Sequence, residues 1–235
     1  MGKADIRGKW ALVTGASRGV GRQISVGLAG YGCNIVLHSR NTIHTQSLAA
    51  EIAAMGVQTC QIAAELSDQN QVNALIATAL TETGGIDILY NNAAIMTPYR
   101  RDWLDVPADD FRKSFEVNVI SLSRICHGLI PRMRERRWGR IVNVTSGIRD
   151  QPELITYAVS KAAVDKFVRD SSARLKEEGI LMNLLDPGWL RTDLGGPNAP
   201  NAVESVLPGA LVPALLDDGT HGKWFSAMDY AEKTE

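Results

Sequence analysis

Short apolar runs alternate along the chain with segments whose apolar residues recur at helical spacing. The apolar runs predict seven β-strands, at residues 10–14, 33–37, 57–63, 86–90, 139–146, 180–185 and 222–226. The segments between them predict helices that begin after the turn at 15–21 and then cover 44–55, 67–82, 108–137 in two parts, 156–178 and 202–216. This alternation predicts an α/β fold, in which a doubly wound, mainly parallel sheet carries helices on both faces.

Length and composition indicate one domain. The chain has 235 residues, of which 45% are hydrophobic and 22% charged. It is therefore large enough to bury one substantial core and short for two. The 21 glycines and 9 prolines provide for many turns without suggesting low complexity. We predict a single domain over residues 1–235.

The charge pattern gives little reason to expect a nucleic acid or a membrane as partner. The formal net charge is −1, so the protein has no global field that attracts polyanions. One dense cluster of arginines, interrupted by Glu135, consists of Arg132, Arg134, Arg136, Arg137 and Arg140. Two interpretations stay open: cations that stabilise the end of a helix, which we favour, and a local patch for nucleic acid.

The cysteines and histidines are scattered. Cys33, Cys60 and Cys126 are odd in number and stand outside any paired spacing, which argues against a disulfide framework and against zinc. The four histidines are expected to be surface or packing residues. The N-terminus shows neither a long apolar run nor a basic segment followed by an apolar one. We therefore expect a cytoplasmic protein without a metal ion.

A glycine-rich turn directly follows the first predicted strand. It reads Gly15-Ala16-Ser17-Arg18-Gly19-Val20-Gly21 and leads into apolar residues at helical spacing. Glycines at such a junction allow a sharp turn and a close approach to a pyrophosphate, whose charge the helix N-terminus favours. A lone glycine cluster is a frequent coincidence. A strand, a glycine turn and a helix in this order predict a Rossmann-like dinucleotide site.

A tyrosine and a lysine share one face of the helix predicted at 156–178. Tyr157 and Lys161 are four residues apart, so an ammonium group lies close to a phenol. A nearby cation favours the phenolate and makes the phenol a usable acid or base near neutral pH. Ser146, at the end of the fifth predicted strand, is placed to give the same substrate oxygen a second hydrogen bond. Taken alone, such a pair more often marks two exposed residues of an amphipathic helix.

Together these motifs resemble the classical short-chain dehydrogenase/reductase family. Thr14, the pattern Gly-x-x-x-Gly-x-Gly and the later Tyr-x-x-x-Lys follow the family's order and approximate separations over nearly the whole chain. The resemblance implies an oxidoreductase that interconverts a carbonyl and an alcohol on a small organic substrate. Its implied catalytic set is Asn118, Ser146, Tyr157 and Lys161. In that set Tyr157 transfers the proton, Lys161 lowers the pKa of Tyr157, and Asn118 supports a proton path from a helix kink.

The resemblance also bears on the choice of cofactor. Ser39 stands where an acid would bind the ribose of NAD, Arg40 follows it, and Arg18 lies in the glycine turn. Because guanidinium groups bind phosphate in a fixed fork, we predict NADP(H), with NAD(H) as the less favoured alternative. Two solvated arginines are the other interpretation.

The remaining cofactor contacts are implied by matching positions. Glu65-Leu66 resembles the aspartate and aliphatic residue that cradle adenine, and Ala94 replaces the glycine of the family's Asn-Asn-Ala-Gly. The full predicted set is Gly15, Ser17, Arg18, Gly19, Val20, Gly21, Ser39, Arg40, Glu65, Leu66, Asn92, Ala93, Tyr157, Lys161, Pro187, Gly188, Leu190 and Thr192.

The C-terminal third and the assembly give broader expectations. Residues 193–216 are predicted to contain a substrate lid. The family's frequent Val-Asp-Gly-Gly is absent near the C-terminus, which favours the carbonyl-reductase-like branch. The resemblance implies a homodimer or homotetramer, because members of the family commonly associate through the two long helices, here at about 108–137 and 156–178. Two alternatives stay open: a catalytically silent dinucleotide-binding regulatory protein and, less favoured, a structural or nucleic-acid-binding protein.

Overall fold

The protein forms one sheet of seven parallel strands, seen in a computed structural model that describes residues 3–230. The strands are β1 (Trp10–Val13), β2 (Asn34–Ser39), β3 (Thr59–Ala63), β4 (Ile88–Asn91), β5 (Gly139–Val144), β6 (Ile180–Asp186) and β7 (Trp224–Ser226). Their order across the sheet is β3-β2-β1-β4-β5-β6-β7. The predicted fold class is confirmed, and each strand falls within or beside its predicted position.

Helices cover both faces of the sheet. They are α1 (Gly19–Gly30), α2 (Gln46–Ala53), α3 (Gln69–Thr83), α4 (Ala108–Phe115), α5 (Leu122–Arg136), α6 (Ile155–Leu175) and α7 (Val212–Leu215). One apolar core joins the sheet to α1, α2 and α7, and a second joins it to α3, α5 and α6. The two cores explain why the central strands are continuous apolar runs. In the part of the chain that is described, no helix is both long and apolar enough to cross a membrane.

Two local predictions were wrong. The helix predicted to begin at Ser67 begins at Gln69, and Asp68 caps it, because the Asp68 carboxylate accepts hydrogen bonds from the backbone N–H groups of Asn70 and Gln71. The helix predicted at 202–216 is instead two 3₁₀ turns, Val203–Val206 and Gly209–Leu211, followed by the short α7. Pro208 lies between the two turns and cannot donate the backbone hydrogen bond that a continuous helix needs.

Most of the arginine cluster lies at the end of α5, as the favoured interpretation predicted, whereas Arg140 lies in β5. Arg134 and Arg136 lie in the last turn of the helix, where cations complement the helix dipole. Acidic partners neutralise most of the cluster, in the ion pairs Arg132–Glu135, Arg134–Glu178, Arg136–Asp87 and Arg140–Asp217.

The strand order creates a crevice at the carboxyl ends of the strands, the side of the sheet that is called its carboxyl edge below. β1 pairs with β2 on one side and with β4 on the other, so successive strands are added in opposite directions from β1. In an open parallel sheet a crevice forms above the carboxyl ends at this reversal. The segments that follow β5 and β6 leave from the same edge because all these strands run parallel.

We predict that Gly21→Ala disrupts the packing of α1 on this edge. A methyl group at residue 21 would overlap the carbonyl oxygen of Gly15 and the side-chain nitrogen of Asn92. The backbone and side-chain shifts that the methyl group forces are expected to lower the free energy of unfolding by about 1–3 kcal/mol, measured by urea denaturation. Gly30→Ala is the matched control, because a methyl at the exposed end of the same helix comes no closer than 3.8 Å to Met55. Equal stability of the two variants would contradict the packing described.

Candidate active site

Hydrogen bonds join the ends of β1 and β4 at the crevice. The Thr14 hydroxyl accepts from the backbone N–H groups of Asn92 and Ala93, each at 3.0 Å. In return the side-chain amide of Asn92 donates to the carbonyl oxygens of Thr14, at 2.9 Å, and Gly15, at 3.2 Å. Thr14 and Asn92 therefore hold the start of the glycine turn against the neighbouring strand.

The glycine turn has the backbone conformation and the space that a pyrophosphate requires. Gly15 and Gly19 have φ values of +65° and +58°, a region that favours glycine. A Cβ at residue 15 would lie 3.0 Å from the Cα of Ala93. Among the described residues, no side chain caps the N-terminus of α1, and the first turn of α1 carries no acid. The free N–H groups of this helix end thus fit a phosphate anion.

His38 is a structural part of this turn that the sequence analysis missed. Its Nδ1 accepts from the backbone N–H of Gly15 at 3.2 Å, and its Nε2 lies 3.0 Å from the carbonyl oxygen of Ala64. Since a carbonyl only accepts, Nε2 carries the proton and the ring is neutral. Burial lowers the pKa of His38, against the hydrogen bond to Ala64 and the charge of Glu65. A histidine inside a strand of otherwise buried residues was the available signal.

The residues predicted to bind the adenosine end lie at the carboxyl ends of β2 and β3. Arg40 is exposed just beyond β2, while the Ser39 hydroxyl donates to the carbonyl oxygen of Asn41. The Glu65 side chain accepts from the backbone N–H of Ser67. Leu66 is buried in the core, so its side chain is not part of the surface.

The segment after β6 approaches the glycine turn. A Cβ at Gly19 would lie 3.5 Å from the methyl group of Thr192. Arg18 forms an ion pair with Asp193 at 2.8 Å, and both side chains are about 70% exposed (69% and 71%). Within this segment the Thr192 hydroxyl accepts from the backbone N–H of Gly195 at 3.0 Å. The predicted phosphate-binding arginine is therefore tied to the beginning of the predicted lid.

The segment after β4 is fixed by Asn118. Between α4 and α5 the helix widens into a π-helical segment, Glu116–Ser121, a rare form that often marks functional sites. The amide of Asn118 accepts from the backbone N–H of Ile95 at 2.8 Å and donates to the carbonyl oxygen of the same residue at 2.9 Å. It also donates to the Ser160 hydroxyl at 2.9 Å, which links this segment to α6. The predicted helix irregularity at Asn118 is present.

Tyr157 and Lys161 lie on the buried face of α6, and Ser146 lies beside them in the loop that follows β5. Both α6 residues are more than nine-tenths buried, with exposures of 7% and 3%. The Lys161 ammonium is 5.6 Å from the centre of the Tyr157 ring and donates to the carbonyl oxygen of Val144 at 2.7 Å. The Ser146 hydroxyl is close enough to the Tyr157 phenol to act on its pKa. The structure thus brings the three groups together, against the alternative of exposed residues on an amphipathic helix.

Burial dominates the titration of this pair. It raises the pKa of Tyr157 to about 12, with the Ser146 hydroxyl acting in the lowering direction and the charge of Asp186 in the raising direction. It lowers the pKa of Lys161 to about 8, against the charge of Asp165. The direction for Tyr157 is opposite to the one predicted from the neighbouring lysine, because removing the phenolate from water is the largest effect.

The Pro187–Gly188 turn follows β6 at the same edge. Gly188 has a φ of +81°, and its backbone N–H donates to the Asp186 carboxylate at 3.0 Å. Leu190 is buried with an exposure of 3%, so its side chain is not available to a ligand.

Within residues 3–230 no group of three or more His, Cys, Asp or Glu side chains is arranged to hold a metal ion.

Comparison with known sequences gives a consistent family. A family model described as short chain dehydrogenase matches residues 9–202. The chain is 31% identical over 211 residues to the 7alpha-hydroxysteroid dehydrogenase of Escherichia coli K12, covering 89% of this chain and 78% of that protein. It is 33% identical over 195 residues to the "Inactive hydroxysteroid dehydrogenase-like protein 1" of Pongo abelii, covering 82% of this chain. The chain spans only 59% of that relative's length.

Solved structures with the same fold carry either cofactor. A 7 alpha-hydroxysteroid dehydrogenase complexed with NADH and 7-oxo glycochenodeoxycholic acid superposes with a TM-score of 0.86 at 26% identity, covering 94% of this chain and 93% of that one. A 3-oxoacyl (acyl-carrier-protein) reductase from Agrobacterium tumefaciens C58 with NADP bound gives the same TM-score at 27% identity and the same coverages. The comparisons leave the choice between the two cofactors open.

We predict that His38 makes folding sensitive to acid. Its folded-state pKa is lowered, so the unfolded chain binds a proton more readily, and this part of the stability is lost as the pH falls below the ordinary histidine pKa of about 6.5. His38→Asn retains an acceptor for Gly15 but does not titrate. Urea unfolding at about pH 5 and about pH 8 should show a smaller pH difference for His38→Asn than for the unaltered protein. An unchanged difference would refute this role.

Proposed function

The chain belongs to the short-chain dehydrogenase family, and on that premise we propose that it is an NADP(H)-dependent oxidoreductase. It would interconvert a carbonyl and an alcohol on a small organic substrate. The observation that carries the proposal is the convergence of Ser146, Tyr157 and Lys161 at the carboxyl edge of the sheet, beside a glycine turn that fits a pyrophosphate.

In the proposed reduction, Tyr157 donates its proton to the substrate oxygen. A phenol whose pKa is about 12 is protonated at neutral pH, so it is ready to donate to an oxygen that gains negative charge. The Ser146 hydroxyl gives a second hydrogen bond to that oxygen, which stabilises the developing charge. The nicotinamide, when bound, supplies the hydride. Oxidation of the alcohol uses the same groups in reverse.

Lys161 has a supporting role in this scheme. With a pKa lowered to about 8 it remains mostly protonated at neutral pH, so its charge favours the phenolate that forms when Tyr157 gives up its proton. We also assign it a hydrogen bond to the nicotinamide ribose. Asn118, whose side chain ties α6 to the segment after β4 through Ser160, would support the path by which the proton returns from solvent.

The glycine turn and the ends of β2, β3, β4 and β6 would hold the dinucleotide. We assign the pyrophosphate to the turn at 15–21 and to the N-terminus of α1, which has free N–H groups. Arg18 and Arg40 would bind the 2′-phosphate of NADP(H), since they follow the adjacent strands β1 and β2. Arg18 must exchange Asp193 for that phosphate. An ion pair exposed to this degree is weak and easily exchanged.

Further features of the proposal concern substrate access and assembly. Residues 193–216 would form a lid whose first residues touch the glycine turn. We place the protein in the carbonyl-reductase-like branch and expect a homodimer or homotetramer formed through the long helices. We keep the alternative of a catalytically silent dinucleotide-binding regulator, because one similar protein is named inactive.

Replacement of the proposed proton donor tests the mechanism. We predict that Tyr157→Phe lowers kcat by about a hundredfold or more, since it removes the hydroxyl group that donates the proton. NADPH affinity, measured by fluorescence titration, should stay within about threefold because the aromatic ring is retained. Tyr31→Phe, at the exposed end of α1, is the matched control and should leave turnover unchanged. Retained activity of Tyr157→Phe would overturn the role assigned to Tyr157.

The alternative function is tested on the unaltered protein. If it binds NADPH but does not oxidise it in the presence of ketones, diketones or quinones, the silent regulator is favoured.

The cofactor choice is tested by comparing NADPH with NADH. We predict that kcat/KM of the unaltered protein is higher with NADPH than with NADH. In Arg18→Ala and in Arg40→Ala, kcat/KM should fall by about tenfold or more with NADPH but not with NADH, because each variant loses a charge-assisted contact to the 2′-phosphate. Arg174→Ala, in the last turn of α6 and at the opposite edge of the sheet, serves as the control. A preference of the unaltered protein for NADH would contradict the assigned role of both arginines.

A further inference from the structure

Asp186 joins two turns that border the proposed site. It is the last residue of β6 and immediately precedes the Pro187–Gly188 turn. One carboxylate oxygen accepts from the backbone N–H of Gly188 at 3.0 Å. The backbone N–H of Gly147, the residue after Ser146, lies near enough to this carboxylate to lower its pKa. A single side chain thus connects the loop that carries Ser146 to the turn that follows β6.

The fit at Gly147 shows how close this contact is. A Cβ at residue 147 would lie 2.7 Å from the Oδ2 atom of Asp186, so the carboxylate takes the space that any side chain there would need. Glycine at 147 therefore allows this close contact, since the position has no left-handed backbone conformation that would itself favour glycine. A hydrogen bond from a backbone N–H group to a carboxylate is charge-assisted and stronger than a neutral one.

The surroundings of Asp186 are acidic and partly buried. Burial raises the pKa of Asp186, and the charge of Asp229 acts in the same direction, whereas the backbone N–H groups of Gly188 and Gly147 lower it. Burial also raises the pKa of Asp165, with the charge of Asp186 acting in the same direction, and the Asp165 carboxylate accepts from the Thr145 hydroxyl. A carboxylate that is partly buried among other acids depends on its hydrogen-bond donors for stability.

We propose that Asp186 is a positioning residue that ties the Ser146 loop to the Pro187–Gly188 turn and thereby fixes the Ser146 hydroxyl relative to Tyr157. This inference rests on the proposed function, because Ser146 must act together with Tyr157 on one substrate oxygen. A hydrogen-bond donor displaced by about 1 Å from its place can lower a rate by about a hundredfold.

The direct test of the link is the state of two backbone amides. In Asp186→Ala, the Gly147 and Gly188 amide protons are expected to lose protection from hydrogen exchange, measured by NMR, while the circular dichroism spectrum stays unchanged. Asp229→Asn removes a neighbouring charge of the same sign and should leave both amides protected. Protected amides in Asp186→Ala would overturn the proposal, whatever the activity.

The functional test is made on the same variants. Asp186→Ala is expected to lower kcat by about 10- to 100-fold with a smaller effect on the substrate KM, and the isosteric Asp186→Asn, which keeps one acceptor oxygen, to recover part of the loss. Asp229→Asn should retain full activity. Gly147→Ala should lower kcat similarly, but should have little further effect in the Asp186→Ala background, where the methyl group has room.

The activity measurements separate the positioning role of Asp186 from the proposed function. Full kcat in Asp186→Ala, or independent effects of the two substitutions, would overturn the positioning role while leaving the proposed function intact. If the unaltered protein reduces no carbonyl compound with either cofactor, the proposed function fails and the positioning role fails with it; amides that still lose protection in Asp186→Ala would then show that the link itself exists.

Discussion

The site depends on the hydrogen bonds that Thr14 and Asn92 make at the strand reversal, which join the glycine turn to the end of β4. β1 and β4 are far apart in sequence but pair directly in the sheet. Beyond the paired residues, the Thr14 hydroxyl accepts from two backbone N–H groups and the Asn92 amide donates to two backbone carbonyls. The proposed cofactor site is built around this junction. The glycine turn lies on one side of it, and the loop that follows β5 and carries Ser146 lies on the other.

Burial acts in opposite directions on two neighbouring groups in this site. It raises the pKa of Tyr157 to about 12 and lowers that of Lys161 to about 8, so the two pKa values, which are nearly equal in water, move apart as the groups are buried. At neutral pH the phenol is therefore held in its protonated form, the form that can donate a proton. The opposed shifts are themselves a feature of functional sites, where environment and partner charge are used together.

The sequence predicted the sheet and the grouping of Ser146, Tyr157 and Lys161 correctly, because both follow from short-range patterns. Apolar runs mark buried strands, and parallel strands place the residues after them at one edge. Three other features depend on contacts that no local pattern encodes. The turns at 203–211 follow from packing and proline positions, the bonds of His38 come from distant backbone groups, and the raised pKa of Tyr157 reflects burial by the whole fold. Asp186 was visible only as the residue before Pro187, since its link to Gly147 requires the register of β5 and β6.

The most direct test of the central claim follows the hydrogen itself. The protein would be supplied with a carbonyl compound and with NADPH that carries deuterium at the transferable position of the nicotinamide, and the alcohol would be analysed by mass spectrometry and NMR. We expect one deuterium on the carbinol carbon, delivered to a single face, with the hydroxyl proton drawn from solvent by way of Tyr157. An alcohol without deuterium at that carbon, or NADPH that binds and returns unchanged with every carbonyl offered, would contradict this expectation.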